Sequence, residues 1–473
     1  MTFTRRQIMT AAAGLVPRLD AQPKKRPNIL VLLTDDQRFS TLHAINNPEV
    51  QTPTMDRLAS RGTTFTHGCI MGGTIPAVCS PSRAMLLTGQ SLFHVTDSIV
   101  TPRSGPDSVA RPFEMFPELF RRNGYRTFGT GKWHNGEPLY ARCFTDGGNI
   151  FFGGMSDHLR VPIADYDPSG KYPKQKRYTG RKFSSELFSD SAVDFLDRYK
   201  GDDPFVMYVA YTAPHDPRMA PKRYLDRYPW QDIKLPANFL PQHPFDNGEL
   251  RIRDEMLAPF PRTPDVVKQN IAAYYAMITE VDEQMGRVVQ ALERSGRAEN
   301  TIIVMAGDNG LALGQHGLMG KQSLYDHSVR VPLIVGGPGL PAGKRSDALC
   351  YLMDLYPTFC DAAALKAPSN VEGRSLMPLL TGHKTSIRDS VFLAYRDFQR
   401  GVRTDRWKLI VYNVKGQETV QLFDLLTDPL EQKNLATDAS HAHKVRELRQ
   451  LLKRWMTETQ DRVDLDKPDW GRT

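Results

Sequence analysis

No stretch of this chain is apolar enough for long enough to span a membrane, which takes about 20 consecutive apolar residues. No internal repeat or low-complexity tract appears either, so the chain reads as globular rather than as an array or a polar tail. No block of like charge and no basic patch interleaved with aromatics is present, which argues against a nucleic-acid partner. Cysteine is scarce. Five in 473 residues (Cys69, Cys79, Cys143, Cys350, Cys360) are too few for a disulfide scaffold. What remains is an ordinary composition, long enough for a large core and, on length alone, two domains. The 61 basic and 53 acidic side chains leave a net +8, which suits an anionic substrate but equally a plain solvated surface.

The chain opens with Arg5-Arg6 ahead of a short Ala-rich apolar run, with Arg18 beyond it and Ala21 as a cleavage point. Paired arginines before such a run look like a twin-arginine export signal, expected over residues 1–21. Such signals carry folded proteins, so a periplasmic or otherwise exported protein is expected. A basic tail is the plain alternative.

From residue 25 the pattern alternates between apolar runs of strand length and capped helices. The run at 28–34 is continuously apolar, as in a central parallel strand covered on both faces; 205–211 is another buried-strand run, 301–306 a strand and 331–335 a fifth candidate, and a further strand at 125–131 leads into Lys132-Trp133-His134. Helices are expected at 53–62, 116–124 and 184–199, and a long one from about Pro264. The expectation is an α/β domain over 25–365, a large mostly parallel sheet sandwiched by helices. Residues 216–262, rich in proline and aromatics without periodicity, read as a surface excursion that walls a pocket. Past about residue 366 short strands at 390–395, 407–412 and 420–423 and a closing amphipathic helix predict a smaller α+β subdomain, 366–473, with an antiparallel sheet.

The chain is organised around Cys79-Ser80-Pro81-Ser82-Arg83. Pro81 suits the first position of a helix and Ser80 the cap before it, which sets Cys79 at a helix N-terminus favourable to anions. Arg83, one turn on, can face the same site. A buried structural cysteine is the alternative. Elsewhere the apolar strands end in polar residues: Asp35-Asp36, Lys132 and His134, His215, and Asp308-Asn309, with Lys321 a loop later. In a parallel sheet those ends share one edge, where ligands bind. Asp35, Asp36, Asp308 and Asn309 form an all-oxygen set that suits a hard cation, calcium or magnesium. A nucleophile, a metal, three cations and two histidines are the parts anion transfer needs.

Cys-x-Pro-x-Arg with Leu-Thr-Gly after it resembles the type I sulfatase motif. The resemblance extends through Asn28-Ile29-Leu30…Asp35-Asp36, Gly131-Lys132-Trp133-His134, Ala213-Pro214-His215, Gly307-Asp308-Asn309-Gly310 and the closing Leu422-Phe423-Asp424-Leu425…Asp428-Pro429. Leu313-Gly314-Gln315-His316-Gly317 and Asp354-Leu355-Tyr356-Pro357-Thr358 look closest to the branch holding iduronate and choline sulfatases. The resemblance implies an alkaline-phosphatase-like fold and hydrolysis of a sulfate ester, on a sulfated carbohydrate or small molecule. It implies conversion of Cys79 to formylglycine by a maturase, and one Ca2+ held by Asp35, Asp36, Asp308, Asn309 and residue 79. Arg83 and Lys132 would orient the modified residue, His134 would take a proton from its hydrate, and His215 with Lys321 would protonate the leaving alcohol. Arg396 and Arg400 are weaker candidates for substrate contact. A phosphoester or phosphonate hydrolase of the same superfamily is the nearest rival, and a non-catalytic binder of sulfated polymers a remote one.

Overall fold

A computed structural model describes residues 25–105 and 108–471; the expected export signal lies outside them. The first apolar run forms β1 (Asn28–Thr34), buried along its whole length. Ile29, Val31 and Leu33 enter one hydrophobic core and Leu30 and Leu32 another, so the strand is covered on both faces. The chain then lays down α1 (Pro53–Arg61), β2 (Thr63–Phe65), β3 (Gly72–Gly73), α2 (Cys79–Thr88), β4 (Arg126–Lys132) and β5 (Asp146–Phe151). After these come α3 (Ser184–Arg198), β6 (Phe205–Ala210), α4 (Pro264–Arg294), β7 (Thr301–Gly307), β8 (Leu333–Gly336) and β9 (Lys344–Ser346).

Eight strands make one sheet in the order β9-β2-β8-β7-β1-β6-β4-β5. β7, β1, β6, β4 and β5 run parallel, and β8 lies antiparallel to both of its neighbours. The α/β sandwich with a large, mostly parallel sheet is therefore present. The sequence pattern does not reveal β2, β5 or β9. They lie toward the sheet's margins, and β5 begins Asp146-Gly147-Gly148-Asn149, with no apolar run to mark it.

Helix α4 starts at Pro264, as expected; Thr263 caps it by accepting from the Val266 amide, and Pro264 takes the first turn. It buries two acids. The Asp282 carboxylate accepts from the amides of Thr54 and Met55 at 2.9 and 2.8 Å, capping α1 from a neighbouring helix. Glu280 is also buried, with Oε2 lacking a hydrogen-bond partner, and burial pushes its pKa up to about 8.

The C-terminal part forms β10 (Val391–Tyr395), β11 (Gln399–Arg403), β12 (Trp407–Val414) and β13 (Gln417–Asp424), an antiparallel set packed under α5 (Ala442–Glu458). β11 is not among the strands that the sequence predicts. Two arginines in five residues hide the pattern, yet all five are buried, because Arg400 pairs with Asp461 and Arg403 with Asp326. Arg400 is thereby removed from the list of substrate candidates. The small sheet takes its fifth strand from far upstream: β3 pairs in parallel with β10, Gly72 opposite Ala394 and Gly73 opposite Tyr395. A Cβ on Gly72, whose φ is +107°, would sit 2.1 Å from the Ala394 carbonyl oxygen, so only glycine allows the approach. A short loop joins Gly73 to Val78 and Cys79, so this pairing anchors the segment that carries the cysteine. All five cysteines are free and buried, and no helix among the described residues is long and apolar enough to cross a membrane.

Candidate active site

Helix α2 begins at Cys79 itself, two residues earlier than a start at Pro81, and Ser80 is no cap. Val78 already has helical φ and ψ, and the Ser80 amide reaches the Ala77 carbonyl at 3.0 Å. Pro81 is tolerated as the third residue because that amide would still lack an intrahelical acceptor. The helix is buried on every side, so its polar residues must be satisfied internally. Ser82 Oγ donates to the Asp308 carbonyl at 2.5 Å, and Arg83 Nε to Asp308 Oδ2 at 2.8 Å. Arg83 Nη1 donates to the Lys132 carbonyl at 2.7 Å. One helical turn thus fastens the ends of β4 and β7 to the start of α2.

β4 delivers the next two groups. The β4–β5 register shifts between Thr130 and Gly131, where Asn149 of β5 (φ 48°) is the extra residue; Gly131 itself has φ +84°, and a Cβ there would sit 1.9 Å from the Ala210 carbonyl oxygen, so glycine is needed directly before Lys132. Lys132 Nζ lies 2.5 Å from Asp35 Oδ2 and 3.4 Å from Cys79 Sγ. His134 Nδ1 lies 3.3 Å from the same sulfur, reached through a left-handed residue (φ 60°) rather than an extended one. Burial, then the charges of Lys132 and Arg83, drive the His134 pKa down, so its imidazole is neutral. Burial pushes the Cys79 thiol up.

Beyond β1, Asp36 adopts φ 65° and turns its carboxylate toward a second set of groups. Lys321 Nζ lies 2.6 Å from Asp36 Oδ1, Asn309 Nδ2 2.7 Å from the same oxygen, and His215 Nε2 3.7 Å from Oδ2. The Asp308 carboxylate also accepts from the Asp36 amide at 3.1 Å. Every residue expected at the site from sequence is brought here. The weaker candidate Arg396 instead pairs with Glu249, its guanidinium 2.5 Å from Oε1.

The carboxylates are crowded. Burial, then the Asp308 charge, raises the Asp35 pKa to about 8 even with Lys132 and Arg83 beside it, and burial raises Asp36 as well. Asp35 Oδ1 and Asn309 Oδ1 are buried without a hydrogen-bond partner. One donor atom from each of Asp35, Cys79 and Asp308 falls within 4.8 Å of the other two, and the same holds for Asp35, Asp36 and His215. Orphaned hard oxygens and mutually repelling acids are what a divalent cation of the calcium or magnesium kind would relieve, so the donor set fits one.

Sequence reasoning passes over the groups that support this set. Tyr274 on α4 donates to the Asp36 carbonyl at 2.5 Å and accepts from the Arg38 amide at 3.0 Å, fixing the strained turn. His158 Nε2 faces the His215 carbonyl at 2.9 Å. His215 Nδ1 faces the Asp216 carbonyl at 2.8 Å and its Oδ1 at 3.3 Å. Asp216 in turn pairs with Arg253 from the 216–262 excursion. The regular spacing of Tyr274 within α4 reads as core, and the others lie in aperiodic loops.

An α/β sheet edge carrying a buried nucleophile, cations on both sides of it and a hard-metal donor set defines a hydrolase acting on an anionic ester. The comparisons specify which. A family profile described as sulfatase matches residues 27–365, and the C-terminal profile of N-sulphoglucosamine sulphohydrolase matches residues 314–458. The chain belongs to the sulfatase family, and it is a sulfatase. It is 29% identical to an N-acetylglucosamine-6-O-sulfatase of Bacteroides thetaiotaomicron, over 95% of this chain and 89% of that protein. It is 30% identical to a sulfatase of Formosa agariphila, over 90% of this chain and 86% of that one. Among solved structures it resembles a protein held in complex with its substrate D-glucosamine-2-N,6-O-disulfate, with TM-score 0.77, 26% identity, and 95% and 100% of the two chains covered.

Proposed function

We propose that this is an exported, calcium-dependent sulfatase that hydrolyses a sulfate ester on a carbohydrate, with residue 79 acting as formylglycine. The observation that carries the reading is the setting of position 79. It opens a buried helix between Lys132 Nζ and His134 Nδ1, beside carboxylate and amide oxygens with no hydrogen-bond partner. Asp35, Asp36, Asp308, Asn309 and residue 79 would hold the calcium, which polarises a bound sulfate as a Lewis acid. Oxidation of Cys79 by a maturase supplies an aldehyde hydrate, one hydroxyl to attack sulfur and a second whose collapse expels sulfate.

The remaining work belongs to the chain's own side chains. Arg83 locks Asp308 and the end of β4 in place. Lys132 pairs with Asp35 and faces residue 79, so its charge stabilises an anion forming there. His134, neutral and aimed at the same atom, accepts a proton from it. His215 and Lys321 flank Asp36 and protonate the departing alcohol.

The amino-sugar sulfatases among the relatives, and the sulfated glucosamine bound by the structural one, support a sulfated carbohydrate as substrate. The Arg5-Arg6 pattern supports export. Co-expression with a maturase, peptide mass spectrometry across Cys79 and sulfate release from a panel of defined sulfated saccharides test the reading together. Active enzyme carrying only unmodified cysteine rejects the formylglycine mechanism. Faster turnover of an aryl phosphate than of an aryl sulfate hands the site to the phosphoester reading.

A further inference from the structure

Arg253 lies in the 216–262 excursion with its side chain 44% exposed, and nothing above gives it a task. Its guanidinium bridges two acids. Nη1 lies 3.3 Å from Asp216 Oδ1 while Nη2 binds Asp216 Oδ2, and Nη1 also lies 2.9 Å from Asp254 Oδ1. Each acid leads to a different residue, Asp216 to His215 and Asp254 to Lys321. Through its carbonyl and its carboxylate, Asp216 faces Nδ1 of His215 at 2.8 and 3.3 Å. Asp254 Oδ2 accepts from Gln322 Nε2 at 2.7 Å, and Gln322 Oε1 accepts from the Lys321 amide at 3.0 Å. Gln322 also donates to the Pro76 carbonyl at 3.1 Å, on the loop that delivers Cys79.

We propose that Arg253 is a positioning residue that sets His215 and Lys321 together, through Asp216 on one side and Asp254 and Gln322 on the other. The proposal rests on the assignment of those two groups to the leaving alcohol. As the bridging S–O bond breaks, its electron pair stays on the leaving oxygen, and that oxygen takes the Nε2 proton of the His215 imidazolium, leaving a neutral ring whose Nδ1–H stays on the Asp216 carbonyl, while Lys321 adds positive charge. For that transfer the ring must keep Nδ1 on Asp216 and Nε2 toward the site, where it lies 3.7 Å from Asp36. Asp216 is 6% exposed. Without Arg253 it becomes a nearly buried carboxylate lacking its guanidinium partner, and it turns toward solvent, releasing the ring. The same substitution unpins Asp254 and, through Gln322, the backbone of Lys321. Group orientation of this kind governs poor leaving groups, which need the proton, far more than good ones, which depart as stable anions.

The test compares Arg253→Ala, Arg253→Lys and the parent enzyme on a nitrophenyl sulfate and on an alkyl sulfate of a sugar hydroxyl. The expected result for Arg253→Ala is a kcat loss at least tenfold larger on the alkyl sulfate, within the 10²- to 10⁴-fold range of general acid catalysis, with KM changed less than about threefold. Arg253→Lys, which keeps one charge between the two acids, recovers part of the loss. In a His215→Ala background Arg253→Ala adds much less than it does alone, because both act on one step. Equal losses on both substrates, a change confined to KM, or full additivity with His215→Ala each overturn the proposal. Failure of the parent enzyme to release sulfate from either substrate would instead overturn the functional reading beneath it.

Discussion

Glu280→Gln should stabilise the protein at pH 8 and not at pH 4.5. Glu280 is 1% exposed in α4, and its carboxyl keeps its proton up to about pH 8, whereas in the unfolded chain the value is 4.5. Between those limits the folded state holds a proton that the unfolded state has lost. Stability is therefore fully present below pH 4.5 and declines as pH rises through 8. At about 1.4 kcal/mol per pH unit the whole span is worth roughly 5 kcal/mol, and at pH 6 about 2 kcal/mol. Glutamine has the same shape and does not ionise. Its buried amide costs about 1–3 kcal/mol where it finds no partner, but that cost does not vary with pH. Urea unfolding of both proteins at pH 5, 6.5 and 8 isolates the effect, since only the pH-dependent part of the difference reports on Glu280. A difference in unfolding free energy that stays constant across the three pH values would refute the argument.

Cys79→Ser, in a host whose maturase ignores serine, should turn over once, slowly, and then stall with a sulfo group on the introduced serine, because a single hydroxyl has no geminal partner to release it. Intact mass after incubation with substrate reveals the adduct, and sustained turnover counts against the two-hydroxyl mechanism. Asp308→Ala removes a proposed metal donor and the partner of Arg83 together, so activity and calcium-dependent thermal stabilisation should fall in parallel; full activity in the presence of chelator would show that the metal site lies elsewhere. Gly131→Ala forces a side chain against the Ala210 carbonyl and should cost more than about 2 kcal/mol of stability while displacing Lys132. Wild-type activity in that variant would show that the close approach at Gly131 does not hold the lysine in place.

The centre of the fold is legible in the sequence because its strands are buried on both faces. Continuous apolar runs leave no other reading for residues 28–34 or 205–210, and the polar residues that end them had to meet at one edge. What escapes is whatever depends on pairing rather than periodicity. Gly72–Gly73 is two residues long and becomes a strand only because Ala394 and Tyr395 lie beside it. Gln399–Arg403 looks polar until Asp461 and Asp326 are brought to its arginines. Pro81 and Ser80 are strong local signals that place the start of α2 two residues late, and a turn already formed at Ala77 and Val78 overrides them. The supports of His215 are invisible for a similar reason: Asp216, Arg253, Asp254 and Gln322 are scattered over about a hundred residues and meet only in the folded chain.

The pairing of β3 with β10 also sets a clock. The loop from Gly72 to Cys79 is made early, yet the strand that fixes it at Val391–Tyr395 emerges more than three hundred residues later. At ribosomal speeds of about 5–20 residues per second, that is an interval of roughly 15–60 s during which the Cys79 loop has no β10 to pair with. In the folded chain Cys79 is 1% exposed. Any enzyme that must grasp this segment in extended form has that interval in which to do so, and slower translation between codons 79 and 395 would lengthen it.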